Sequence, residues 1–314
     1  MPRTITVGLD GSPESRAAAE WAAREANPRG LPVKLVHVWQ PLPEPMAQAP
    51  LLGAETRQYW TGQDESGASQ AEGWGNMLRE AAEGLRLRHP GLEVGTEQLT
   101  GRPAEVLAGI AEDAETLVLG SRGLGGVGGF LVGSVGLAVL THTERPVVLV
   151  RAGEQAADEH EQDPAGIPSA ATPFRPVLLG LDTAGPDAAP IEFAFETAAR
   201  RGVPLRVLHG WNPPRYHPYG LAPDPEVTAM VARSDAAALA EALEPWQRKY
   251  PDVEVVAESR GESPSAVLVE AARDASLVVV GRRIRRSGVG THIGPVTHAV
   301  LHHATAPVAV VAHD

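Results

Sequence analysis

The feature that most constrains this chain is that it repeats itself. The stretch VGLDGS around Gly8 and Asp10 returns as LGLDTA around Gly180 and Asp182, an offset of 172 residues. LVHVWQP around Val38 returns as VLHGWNP around Gly210 with the same offset. GRPAEVLAGIAEDAETLVLGSRG, which contains Gly120, returns as GESPSAVLVEAARDASLVVVGRR, which contains Gly281, now offset by 161. TERPVVLVR near Pro146 returns as TAPVAVVAH near Pro307, again offset by 161. Four blocks in the same order mark an internal duplication. In a chain of 314 residues each copy has room for one α/β domain of about 150 residues. We therefore expect domains over 1–152 and 175–314. The stretch from Ala152 to Phe174 is rich in charge, Ala, Pro and Ser and lacks apolar periodicity, so 153–174 reads as a linker.

Within the first copy, Thr4–Leu9 is short and apolar enough for a buried strand. Asp10-Gly11-Ser12-Pro13 then supplies a turn, with Ser12 as N-cap and Pro13 at the first helical position. The helix runs through Ala17, Ala18, Trp21 and Ala22 and stops near Asn27-Pro28. A second strand is expected over Pro32–Trp39, a helix over Glu65–His89, and a third strand over Leu92–Leu99. A short helix over Pro103–Asp113 and a fourth strand over Thr116–Leu119 follow. After a glycine-rich loop come a helix over Ser134–His142 and a fifth strand over Arg145–Val150. Alternating units whose strands are apolar on both faces predict two tandem doubly wound α/β domains, each with a five-stranded parallel sheet. In such sheets a ligand sits beyond the carboxyl ends of the strands where strand order reverses. Asp10 and the loop from Gly120 to Ser134 fall there.

Composition removes several classes of function. No cysteine is present, which excludes disulfides, thiolate metal sites and thiol catalysis. A net charge of −12 speaks against a sequence-independent grip on nucleic acid and against docking on an anionic membrane. MPRTITVGLDGS has no signal-peptide pattern, and no run approaches the roughly 20 apolar residues needed to span a bilayer. A cytoplasmic location is expected by elimination.

Gly120-Ser121-Arg122-Gly123, nine further residues, and Gly133-Ser134 make the motif that carries chemistry. Glycines at a strand end admit unusual backbone angles and let a ligand approach closely. Gly133 and Ser134 open a helix whose free N–H groups and dipole favour phosphate. The lysines are Lys34 and Lys249, neither near a glycine loop, so a phosphate loop built on lysine is excluded. There is no GxGxxG after the first strand, which speaks against a dinucleotide site.

The spacing Gly-x2-Gly-x9-Gly-Ser, the opening VGLDGS and the closing RPVVLVR resemble the ATP-binding branch of the universal stress protein family. The resemblance covers nearly the whole chain, twice, and implies an adenine nucleotide α hydrolase-like fold with a regulatory, stress-response role. It implies that Asp10 contacts the ribose or a metal and that the backbone at Val38 meets adenine. Gly120, Arg122, Gly123, Gly133, Ser134 and Val135 would surround the ribose and phosphates, with Gly8 and Leu119 flanking. It further implies ATP as ligand, with Mg2+ or Mn2+ carried by the nucleotide. A pseudo-dimer of the two domains, and a homodimer, would form through fifth strands. From the residues alone Asp10 has a second reading, capping the helix that follows it, and the sequence leaves both open. Nucleotide binding is expected to order the Gly123–Gly129 loop.

The second copy departs from this pattern. Ile284 stands where the second glycine belongs, and Gly294 is followed by Pro295 instead of serine. Proline brings neither N–H nor hydroxyl, so the second domain is expected to bind ATP weakly or not at all. Arg282, Arg283, Arg285 and Arg286 read as a solvated or interface-facing cluster. His292, His298, His302 and His303 read as structural, with no third metal ligand evident. Trp39 and Trp211 are placed to line a base pocket. No nucleophile elbow, acid/base carboxylate pair or motif-positioned base appears, so binding is better supported than turnover. A slow ATPase or other nucleotide-processing enzyme, and a nucleotide-free interaction scaffold, remain alternatives.

Overall fold

The computed structural model of the protein describes residues 3–40, 70–121, 133–212, 225–284 and 293–314. The expected Gly123–Gly129 loop, Arg122, Arg285, Arg286 and His292 lie outside these residues. Two compact units emerge, the first closing at Gly153 and the second opening at Glu154. No helix among the described residues is long and apolar enough to cross a membrane.

The first unit runs β1 (Thr4–Gly8), α1 (Pro13–Ala26), β2 (Val33–Trp39), α2 (Gln70–Arg88), β3 (Val94–Thr100), α3 (Pro103–Ala111), β4 (Ala114–Ser121), α4 (Ser134–His142) and β5 (Val147–Arg151). Its strands lie in the order β3-β2-β1-β4-β5, and each neighbouring pair is parallel. The chain winds outward through β2 and β3, returns to the other side of β1, and winds outward again. The switch therefore falls between the carboxyl ends of β1 and β4. Ile5, Val7, Leu35, Leu117 and Val118 are fully shielded from solvent, as expected of a parallel sheet covered on both faces. Ser12 caps α1 as anticipated, its side chain accepting from the Ser15 N–H, and Pro13 follows at the first helical position.

The second unit repeats the plan with β6 (Val177–Gly180), α5 (Ala188–Arg201), β7 (Leu205–Gly210), α6 (Pro225–Lys249), β8 (Val255–Arg260), α7 (Pro264–Ala271), β9 (Leu277–Arg283), α8 (Pro295–His303) and β10 (Val308–His313). Its strand order is β8-β7-β6-β9-β10, parallel throughout. The copies differ where the first helix starts. An offset of 172 would open α5 at Gly185, but Asp187 caps it and its first residue is Ala188, so the loop after β6 is three residues longer.

The stretch expected to be a linker is ordered. A short 3-10 turn spans Ala156–Glu159, and antiparallel bridges join His160 to Phe174 and Gln162 to Pro168. This hairpin-like segment packs on the second unit. Glu159 accepts from the Arg201 guanidinium at 3.2 Å with both side chains almost wholly buried, and that guanidinium lies 4.9 Å over the Phe174 ring. Arg175 adds bonds to the carbonyls of His160 and Arg273, each at 2.8 Å. Low apolar content concealed the segment because polar and ionic contacts, not a periodic apolar face, hold it.

Removing one member of a buried ion pair costs about 3–5 kcal/mol because the other charge stays buried. Glu159→Ala is therefore expected to destabilise the protein by about 3 kcal/mol in denaturant unfolding. Glu161→Ala, at an exposed neighbouring position, should change stability by less than about 0.5 kcal/mol.

Candidate functional site

A cavity of about 180 Å³ opens at the switch point of the first unit. Gly8, Asp10, Leu119 and Gly120 reach it from the ends of β1 and β4, and Val38 from β2. Gly133, Ser134 and Val135 reach it from the start of α4. Eight of the ten anticipated residues thus surround one space; Arg122 and Gly123 lie outside the described residues. Ser12, Glu14, Ser15, His37, Pro103 and Leu107 also line it.

How β1 ends beside β2 shapes the back of this cavity. Leu9 N–H donates to the Val36 carbonyl at 2.8 Å. In a regular parallel ladder the Leu9 carbonyl would next accept from the Val38 N–H. Instead it accepts from Nδ1 of the His37 ring at 2.8 Å, and the strand register ends at Gly8–Val36. Alternation along β2 points the N–H and C=O of Val38 the same way as those of Val36, past the end of β1. They stand as a donor beside an acceptor at the cavity wall. A carbonyl only accepts, so Nδ1 carries the proton in that bond. Nε2 is buried without a hydrogen-bond partner among the described residues, and the ring stacks on Trp74 with centroids 4.4 Å apart. The sequence reading passed over His37. The available signal was His209, which recurs at the same offset of 172.

Opposite this wall, α4 presents its N-terminus. Gly133 is the N-cap in an extended conformation and no side chain caps the helix; the first helical N–H groups therefore lack intrahelical partners. Asp10 sits at the rim, and its Oδ1 accepts from the Ser12 N–H at 3.0 Å and the Ser12 hydroxyl at 2.5 Å. Its own N–H reaches the Ser15 hydroxyl at 3.3 Å. Asp10 thus supports the capping residue instead of capping α1 itself. The Gly120 reading needs a correction. Gly120 is not among the glycines with positive φ, but a Cβ there would fall 2.6 Å from the backbone C of Glu14 and N of Ser15. Glycine is required so that α1 can start against the end of β4. Trp39 and Trp211 line neither cavity, and the Trp211 ring packs against Gly261 instead.

The second unit carries an equivalent cavity of about 450 Å³, lined by Asp182, His209, Gly210, Gly281, Arg283, Gly294 and Pro295 among others. Arg283 therefore faces a cavity, and Arg282 is buried, which corrects the picture of one solvated arginine cluster. On α8, the His298 and His302 rings lie 4.3 Å apart. Desolvation, followed by the charges of His302 and His303, holds His298 below the ordinary imidazole value. Among the described residues no group of three or more His, Asp or Glu is placed to hold a metal.

A duplicated, doubly wound α/β protein with an open cavity at its first switch point is the class these features define. The family model for universal stress proteins matches residues 1–151 and 173–312. A universal stress protein of Mycolicibacterium smegmatis is 34% identical over 312 residues, covering 98% of this chain and 96% of its own. The crystal structure of a universal stress protein from Archaeoglobus fulgidus covers 100% of both chains with a TM-score of 0.67 at 16% identity. A shorter Archaeoglobus fulgidus universal stress protein, solved in complex with dAMP, covers 48% of this chain and 99% of its own at 22% identity, with a TM-score of 0.34. The chain belongs to the universal stress protein family, with two tandem family domains.

Two substitutions test the local geometry. Gly120→Ala forces overpacking against the α1 backbone and is expected to cost about 1–3 kcal/mol in unfolding free energy. His37→Phe removes the side-chain donor from the Leu9 carbonyl, so the Val38 amide should take its place. Hydrogen exchange at Val38 is expected to be fast relative to Val36 in the native protein and to slow in the variant.

Proposed function

We propose that this protein binds ATP in the cavity of its first unit and acts as a nucleotide-responsive regulatory factor in the stress response. The observation that carries this reading is the pairing of two unlike walls across one cavity. On one side the Val38 backbone presents a donor next to an acceptor. That pattern complements a base edge in which a ring nitrogen acceptor neighbours an amino group, as in adenine. On the other side the uncapped start of α4 and the Ser134 hydroxyl favour an anion. A base at one end and phosphates at the other is how a nucleotide would span it.

Asp10 is the natural contact for the ribose hydroxyls or for a metal ion accompanying the phosphates. Its carboxylate stands exposed at the cavity rim, which suits a hard cation such as Mg2+ that takes most of its ligands from phosphate and water. Such an ion would arrive with the nucleotide and neutralise phosphate charge. Asp10 and the neighbouring Ser12 would orient it, and the helix N–H groups would hold the phosphates. The reading is one of binding: the Ser12 hydroxyl that donates to Asp10 also caps α1, which ties this pair to the helix start.

The second copy supplies the design of the test. Ser134→Pro imports the residue found at the matching position there. Proline is well tolerated at the first helical position, so the fold should persist while one N–H and one hydroxyl disappear. At about 1.5 kcal/mol for each charge-assisted bond, the loss is about 3 kcal/mol, near a hundredfold in affinity. Isothermal titration with Mg-ATP is expected to show one tight site per chain in the native protein and that weakening in the variant. Unchanged affinity would remove the helix start from the binding reading. No heat and no retained nucleotide in the native protein would remove the reading itself.

A further inference from the structure

We propose that the outer face of α8 is a two-imidazole chelate for one divalent first-row transition ion, with His298 and His302 as its ligands. Neither histidine lines a strand-end cavity, so the site is separate from both. Positions four apart on a helix share one face, and a helical side chain leans back over the turn before its own Cα. His302 is thereby laid against His298, and the two ring centroids stand 4.3 Å apart with a tilt of 41°. Rings held that close can each direct a nitrogen at one ion about 2 Å away. His298 is exposed and His302 half-buried, so an ion reaches them from solvent without opening the core.

The surroundings suit one shared ion better than two separate protons. α8 ends at His303 with His302 in its last turn, where the carbonyl end of the helix dipole favours positive charge. Two protonated imidazoles on successive turns repel each other. Desolvation first, and then the charges of His302 and His303, hold His298 below the ordinary imidazole value. Little is therefore lost in freeing a lone pair for a metal at neutral pH. Imidazole nitrogen selects Cu2+, Ni2+ or Zn2+ over Mg2+ and Ca2+, with Cu2+ held most tightly. Water fills the remaining positions, so the site needs no third side chain, and among the described residues no cluster of three supplies one. The pair belongs to the second copy alone, since the offset of 161 places Leu137 and Thr141 at the matching positions of α4. The two rings converge only while α8 is helical, so an ion bound there also stabilises the fold.

The test is titration of the intact, nucleotide-free chain with CuCl2, read by calorimetry and by electron paramagnetic resonance. One copper is expected to bind with two equatorial nitrogens. His298→Leu and His302→Thr import the residues of the first copy. A direct ligand matters at least as much as a group that supports one, so each variant should weaken that copper at least about tenfold. Each should also leave a single nitrogen on it. His298 is exposed, so its variant keeps the fold, which an unchanged metal-free unfolding midpoint verifies. Saturating copper should raise the midpoint of the native protein more than that of the double variant. The His303 ring lies 6.4 Å from His302, and His303→Gln should leave the copper isotherm unchanged. Affinity and nitrogen count indifferent to both ligand substitutions would overturn the proposal. So would a loss on His303→Gln equal to that on His298→Leu, or displacement of the copper by an equal concentration of Mg2+.

Discussion

The hydrogen bond from the His37 ring to the Leu9 carbonyl sets what the first cavity can be. A parallel sheet ordinarily consumes every backbone group along its strands, and a cavity at its edge would then face side chains only. By taking the carbonyl that ends the β1 ladder, His37 satisfies a buried acceptor and releases the backbone of Val38 from its strand partner. The bond occurs again between His209 and Leu181, so it belongs to the repeated plan and not to one copy's specialisation. A histidine at 5% exposure inside an apolar strand is costly to bury. Its recurrence is intelligible as the price of an open strand end.

The close approach of α1 to β4 follows from the same economy of space. With Gly120 lacking a Cβ, the backbone of Glu14 and Ser15 comes within contact of the strand end, and the Asp10-Ser12-Ser15 hydrogen bonds hold the intervening turn. The first cavity is thereby kept small and its rim fixed. In the second unit His313 occupies the space above Gly281, while the helix begins a turn later. The strand-end glycine is common to both copies, yet what approaches it differs, and the difference in cavity size follows from that.

Much of this was legible in the sequence. The duplication, the alternation of strands and helices and the Ser12-Pro13 helix start are local or periodic signals, and α4 spans the expected Ser134–His142. The switch point of a doubly wound sheet singled out Asp10 and the loop from Gly120 to Ser134, and the family resemblance added Gly8, Val38, Leu119 and Val135; eight of the ten residues line one cavity. What escaped was non-local. The role of His37 depends on a carbonyl 28 residues away. The ordered segment 154–174 depends on Glu159 meeting Arg201, which no pattern within the segment announces. The reason for Gly120 was also misread, because a glycine required for helix approach and one required for positive φ look alike in a sequence.

Duplication gives the two sites different freedom. A strand end and its histidine are part of the sheet, so altering them disturbs folding. The helix start and the loop before it lie at the surface, where a change such as Ser134 against Pro295 costs the fold almost nothing, since proline suits a first helical position. Divergence after duplication should therefore accumulate at the helix start and spare the strand end. The two cavities show that division: the His–carbonyl pair and the proline-leucine wall persist in both, whereas the donors, the loop length and the room available do not.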